Sequence, residues 1–281
     1  MQWFGRRESS NVEEGSSGGR GIALGGGVIG IIAAAIYFFT GVDPSAILNQ
    51  AQSGGDPQQA NTQPAGPDTE QKKFARVVFA DTEDVWNKLF SDMGRTYQEP
   101  TLHFFEGGVT TGCGQAESAT GPFYCPGDQK VYIDLAFFDE LKDKFGAAGD
   151  FAQAYVIAHE VGHHVQDLLG VSAKMEQARQ QLSESDYNKL SVKLELQADF
   201  YAGVWAHYDQ QMKNILDPGD IDEALNAANA IGDDRLQKMS TGEVVPDAFT
   251  HGTSAQRMYW FKKGYETGDL SQGNTFKEIL N

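Results

Sequence analysis

This 281-residue chain has few cysteines, two in all, and too few cationic side chains to balance its acidic ones. Lysine and arginine number 22 against 39 aspartates and glutamates, for a formal net charge of −17. No basic stripe appears anywhere, so phosphate-backbone binding has no electrostatic footprint and a nucleic-acid partner is not expected. The two cysteines, Cys113 and Cys125, form no C-x-x-C pair, which argues against a cysteine-ligated zinc site. They lie in a turn-rich stretch flanked by Gly112, Gly114, Pro126 and Gly127, where a disulfide would close a short loop. Histidine is also sparse, with six in all.

What the chain does have is apolar material, 40% of its residues, enough for a sizeable core. Residues Gly21 to Val42 carry no charge across 22 positions. A bilayer-spanning helix needs about 20 apolar residues, so this stretch is expected to be an uncleaved transmembrane helix. Arg6, Arg7 and Arg20 precede it and Asp43 follows, which places the N-terminus in the cytoplasm and the rest of the chain outside. The expected organisation is a disordered cytoplasmic tail over 1–20, a transmembrane helix over 21–42, a flexible Pro/Gly/Gln linker over 43–68 and a globular domain over 69–281. Such a chain would sit in a bacterial inner membrane as a single-pass protein with an extracytoplasmic, periplasmic domain.

Within the domain, Asp81-Thr82-Glu83-Asp84 reads as the N-cap and first turn of a helix running to about Met93. Thr101–Phe105 and Lys130–Phe138 have strand character, with the cysteine-bearing, glycine-rich loop between them. Beyond Phe137 the periodicity is helical, over about 148–169, 171–182, 184–212, 219–240 and 253–266. The fold class is therefore α+β, mainly helical with a small sheet.

The chemistry is concentrated in Ala158–His164, A-H-E-V-G-H-H. His159 and His163 are four apart, one helical turn on the same face, a spacing at which two imidazoles can bind one Zn²⁺. Glu160 stands beside them, where a general base would take a proton from zinc-bound water. A bare H-E-x-x-H arises by chance, but FAQAYVIA before it is apolar and helix-compatible, so the motif belongs to a buried helix. Zinc catalysis needs a third protein ligand. The pattern with a third histidine fails, because Gln166 and Leu169 occupy the positions where Gly and His would be. The alternative is a carboxylate from a later helix. Glu195 and Asp199 lie four apart in the otherwise apolar run KLELQADFYAG, where buried carboxylates need partners. Zinc would serve Glu195, and Asp199 would orient a ligand histidine through its other ring nitrogen.

An E-x-x-x-D after H-E-x-x-H is the gluzincin pattern. Together with GPFYCPGDQKVYIDLAFF, YVIAHEVGHHVQ, ELQADFYAGVWAH, AIGDDRLQ and FTHGTSAQR, the chain resembles the bacterial neutral zinc metallopeptidase family over roughly 68–276, and also in its GRRES N-terminus. The resemblance implies a zincin-like domain, one Zn²⁺ and peptide-bond hydrolysis. His159, His163 and Glu195 would be the ligands and Glu160 the catalytic base. The family pattern carries cysteines at the positions of Phe200 and Gly273; both are absent here, as if a second disulfide had been lost.

His251, in THGTSAQR, is a candidate catalytic donor to the tetrahedral oxyanion, with Arg257 orienting it; the simpler account of this stretch is a helix N-cap at Thr253 or Ser254. His164 points about 100° away from the ligand face and reads as a supporting or core residue. The strand from Lys130 to Leu135 is a candidate edge for an extended substrate. The resulting expectation is a membrane-anchored zinc endopeptidase acting on peptide or protein substrates. The alternative is a zinc-stabilised, catalytically silent scaffold.

Overall fold

The structure, a computed structural model, describes residues 1–15 and 68–277. Helix α1 (Glu70–Asp92) opens the main body. It starts at Thr69, whose side chain accepts from the Lys72 amide, and runs straight through the Asp81–Asp84 stretch expected to cap it. Those acidic residues do a different job. Asp81 and Glu83 are buried and take guanidinium partners from the N-terminal segment, Arg6 Nη2 at 2.8 Å and Arg7 Nη1 at 2.9 Å.

A four-stranded sheet follows in the order β1-β2-β6-β5. Its members are β1 (Val12–Glu14), β2 (Thr101–Phe104), β5 (Phe123–Cys125) and β6 (Lys130–Ile133). The first three in that order run parallel, with Val12 opposite Leu102 and Leu102 opposite Val131, and β5 runs antiparallel to β6. Leu102, Phe104, Val131 and Ile133 alternate inward to the main core. A separate hairpin, β3 (Gly108–Thr111) and β4 (Gly114–Glu117), carries Cys113 at its turn. The Cys113–Cys125 disulfide ties that turn to β5. Strand character ends at Ile133, and Phe137 and Phe138 belong to helix α2 (Ala136–Asp143).

The remaining helices are α3 (Asp150–Leu168), α4 (Val171–Gln181), α5 (Glu184–Lys213), α6 (Asp220–Ala230), α7 (Asp233–Ser240) and α8 (Ser254–Thr267). The helix expected over 219–240 is two, split at Ile231-Gly232. A Cβ at Gly232 would lie 2.5 Å from the Ser254 hydroxyl, so the chain passes too close to α8 there to carry a side chain. The capping box at Thr253 and Gln256 starts α8, as the simpler reading of that stretch expects. α3 and α5 form the centre of the core, with Phe151, Ala154, Ile157, Val161, Ala198, Ala202 and Trp205 buried between neighbours. Gly203 and Gly264 let α5 and α8 cross backbone to backbone, since a Cβ at either would strike the other helix. Phe200 and Gly273 prove to be adjacent: a Cβ at Gly273 would sit 2.5 Å from the Phe200 ring. The aromatic ring fills the place where the family pattern implies a disulfide.

The expected membrane topology needs correction. Residues 21–42 and the linker to 67 lie outside the described residues. Among the described residues no helix is long and apolar enough to cross a membrane. Residues 1–15, expected as a disordered tail across a bilayer from the domain, are part of the domain. β1 pairs with β2, and the Met1 α-ammonium bonds Asp150 Oδ1 at 2.7 Å, at the start of α3. A single span between residues 20 and 43 would hold these partners apart by about 30 Å of hydrocarbon. The single-pass anchor, with a cytoplasmic N-terminus and a periplasmic domain, is therefore not supported.

Candidate metal centre and its surroundings

One turn of α3 separates His159 from His163, and their rings meet edge to face with centroids 4.8 Å apart. α5 lies directly against this turn. Gly162 makes that possible, because a Cβ there would stand 3.0 Å from the Ala198 carbonyl oxygen and 3.2 Å from its Cα. The close approach brings Glu195 between the two imidazoles. Glu195 Oε2 is 3.1 Å from His159 Nε2, and Oε1 is 3.4 Å from His163 Nε2. One donor atom from each of the three side chains falls within a 4.8 Å group. Tetrahedral bonds of about 2.0–2.1 Å require neighbouring donors about 3.3 Å apart, close to both histidine–Glu195 separations, so this donor set fits a zinc ion.

Glu160 is buried beside this group, and its Oε2 has no hydrogen-bond partner. Desolvation pushes its pKa up, against the opposing pull of His159 and His163. Glu195 moves the other way: burial would raise it, but the two histidines and His251 hold it well below the usual carboxylate range.

Asp199, one turn past Glu195, is fully buried and saturated with donors. Its Oδ1 accepts from His159 Nδ1 at 2.9 Å, from Arg257 Nη2 at 2.9 Å and from the Tyr155 hydroxyl; its Oδ2 accepts from Arg257 Nε at 2.9 Å. Burial opposes its ionisation, yet the Arg257 and His159 charges bring its pKa down to about 2. For His159 burial also works against the charge, and Asp199 and Glu195 push its pKa up to about 10. Arg257 is itself buried, with further bonds to the Ile231 carbonyl and the Tyr155 hydroxyl.

Arg257 is thus committed to Asp199, and the expectation that it orients His251 is corrected. That position belongs to Asp233, the first residue of α7. Its Oδ1 lies 3.3 Å from His251 Nδ1, and its Oδ2 accepts the amides of Thr250, His251 and Gly252 at 2.8, 2.6 and 2.9 Å. One carboxylate therefore fixes both the loop and the ring. Burial lowers the His251 pKa, but the Asp233 bond and charge, with Glu195, raise it above its ordinary value.

Three contributors were not singled out from sequence: Asp233, Tyr155 and Gln166. Asp233 sits in the AIGDDRLQ run. Gln166, whose Oε1 is 2.9 Å from His163 Nδ1, was noted only as a failure of another family's pattern. The other histidines stand apart. His164 is held between the Gln98 carbonyl at 2.6 Å and the Tyr124 hydroxyl at 3.0 Å; His207 meets the Tyr265 carbonyl, and His103 the Glu13 carboxylate. The strand from Lys130 to Leu135 offers no edge, because β6 is enclosed by β2 and β5. The sheet edge on this side is β5, whose Tyr124 hydroxyl also bonds Asp167 of α3 at 3.0 Å.

The geometry agrees with comparison to known proteins. Residues 1–276 match the family described as "Putative neutral zinc metallopeptidase", and the chain belongs to that family. It is 51% identical to the uncharacterized protein YpfJ of Escherichia coli strain K12, over the full length of both chains. It is 43% identical to the uncharacterized protein Rv2575 of Mycobacterium tuberculosis strain H37Rv, covering 84% of this chain and 83% of that one. No solved structure matches the chain.

Proposed function

We propose that the chain is a zinc-dependent endopeptidase with a zincin-like catalytic domain. The observation that carries this reading is the convergence of His159, His163 and Glu195, with the buried, half-unpartnered Glu160 carboxylate beside them. Zinc, which His159, His163 and Glu195 would hold, would supply a Lewis acid able to acidify water and polarise a peptide carbonyl. Glu160 receives the proton of the attacking water and passes it to the departing amine; its raised pKa brings it nearer the working pH. His251, whose charged form Asp233 favours against burial, is placed to donate a ring N–H to the developing oxyanion. Asp199, neutralised by Arg257, holds His159 through Nδ1 so that Nε2 faces the metal. β5, an edge strand among the described residues, would give an extended peptide a backbone to pair with. A scaffold would bind zinc with the same three residues, but it has no use for a desolvated carboxylate such as Glu160.

The test is cleavage of a mixed peptide library by the full chain, with chelator and then with added zinc. Cleavage abolished by the chelator and restored by zinc supports the reading. A zinc-loaded protein that cleaves nothing in the library, including unfolded protein substrates, contradicts it.

A further inference from the structure

The two candidate ligand histidines are backed by different chemistry. His159 turns its Nδ1 to a buried carboxylate. His163 turns its Nδ1 to a neutral amide, Gln166 Oε1, at 2.9 Å. Gln166 is fully buried, and both hydrogens of its Nε2 are used, toward the Leu194 carbonyl at 2.7 Å and Gln197 Oε1 at 3.1 Å. Gln197 Nε2 in turn donates to the Gly273 carbonyl at 2.8 Å.

The direction of this chain is fixed at both ends. A backbone carbonyl can only accept, so Leu194 sets which end of the Gln166 amide is nitrogen, and Gly273 does the same for Gln197. Turning Gln166 over would press two acceptors together at a fully buried position, which costs about 1–3 kcal/mol for each group left unpaired. Gln166 therefore presents oxygen to His163, and His163 Nδ1 must carry the hydrogen. In the neutral ring Nε2 then carries the lone pair a metal would use, facing Glu195 at 3.4 Å. Neutrality matters too. Glu160, Glu195 and Asp199 already place three buried carboxylates here, and an amide orders His163 without adding a fourth.

We propose that Gln166 is a positioning residue for the metal: it holds His163 as the Nδ1–H tautomer, and Gln197 anchors it to the Gly273 carbonyl. This rests on the zinc reading above and adds to it the means by which the second ligand is oriented. The C-terminal segment thereby becomes part of the metal site, since Thr275 also bonds the Lys193 carbonyl on α5.

Zinc affinity, measured on the full chain by competition with a fluorescent chelator, tests this. Gln166→Leu should weaken zinc binding by about 10- to 100-fold. In the same variant the ¹⁵N shifts of His163 should lose their Nδ1–H character, which a general loosening of packing would not single out. A Gln166→Leu protein with native circular dichroism and unchanged zinc affinity would overturn the proposal. So would a His163 that keeps the wild-type Nδ1–H tautomer in Gln166→Leu. Should the variant fail to fold, the ¹⁵N shifts of His163 in the wild type decide. An N–H-type Nδ1 is expected, and an unprotonated Nδ1 overturns the idea. A wild type that binds no zinc would instead sink the functional reading, and the His163 tautomer would then be read in the metal-free protein at alkaline pH.

Discussion

Gly162 of α3 and Ala198 of α5 are in backbone contact: a Cβ on Gly162 would lie 3.0 Å from the Ala198 carbonyl oxygen. Alanine in a helix interior is favoured over glycine by about 1 kcal/mol, so propensity alone predicts that Gly162→Ala stabilises. Overpacking of a close contact costs about 1–3 kcal/mol, and a backbone carbonyl cannot swing aside. Overpacking should win. Gly162→Ala is expected to lower stability by up to about 2 kcal/mol and to weaken zinc binding by moving Glu195 away from the histidines. Urea denaturation and zinc competition measure the two effects. A more stable protein with unchanged zinc affinity would show that α5 does not need this approach.

Among the described residues, Arg257 is the only cation bonded to Asp199 apart from the ring of His159. Arg257→Met leaves a buried carboxylate uncompensated, for which about 3–5 kcal/mol of destabilisation is expected. The same change should weaken zinc binding, because Asp199 can no longer hold His159 firmly. A loss under 1 kcal/mol in chemical denaturation would mean that Tyr155 and His159 suffice.

A pH profile tests the Asp233–His251 pair. The oxyanion donor must be protonated, so activity should persist below the His251 pKa and fall as pH rises through it. Asp233 is what raises that pKa against burial. Asp233→Asn should therefore move the alkaline limb of kcat to lower pH, and His251→Ala should lower kcat by roughly 10²–10³-fold with little change in zinc content. An alkaline limb that stays in place in Asp233→Asn would remove His251 from this role.

Deleting residues 1–15 uncovers the edge of β2 and leaves Asp81 and Glu83 without Arg6 and Arg7. Loss of at least about 4 kcal/mol is expected, seen as a melting point lower by about 10 °C, with aggregation through the exposed strand. A truncated chain as stable as the full one would mean that the N-terminal segment only rests on the domain.

The parts of this protein legible in sequence are those encoded locally. The one-turn spacing of His159 and His163, and of Glu195 and Asp199, is written directly in helical period, and α3, α4, α5 and α8 lie close to where apolar periodicity puts them. What was hidden depends on partners far along the chain. β1 has only three residues and exists because Leu102 lies across from Val12. Asp81 to Asp84 carry capping chemistry, yet Arg6, Arg7 and Lys213 claim them and Thr69 caps the helix instead. Asp233 and Gln166 lie 18 and 3 residues from the histidines they contact, and no pattern marks either one as their partner. The uncharged run over 21–42 suggested a span by composition alone, while the pairing of residues 1–15 with the domain was invisible to composition.

The central claim is that Glu160 is a catalytic base beside a bound zinc ion. The most direct measurement is peptide cleavage by the full chain and by Glu160→Gln, at matched zinc content. Zinc retained in both, with cleavage lost by at least about 100-fold in Glu160→Gln, is the predicted result. Equal cleavage by the two proteins at equal zinc would contradict the account.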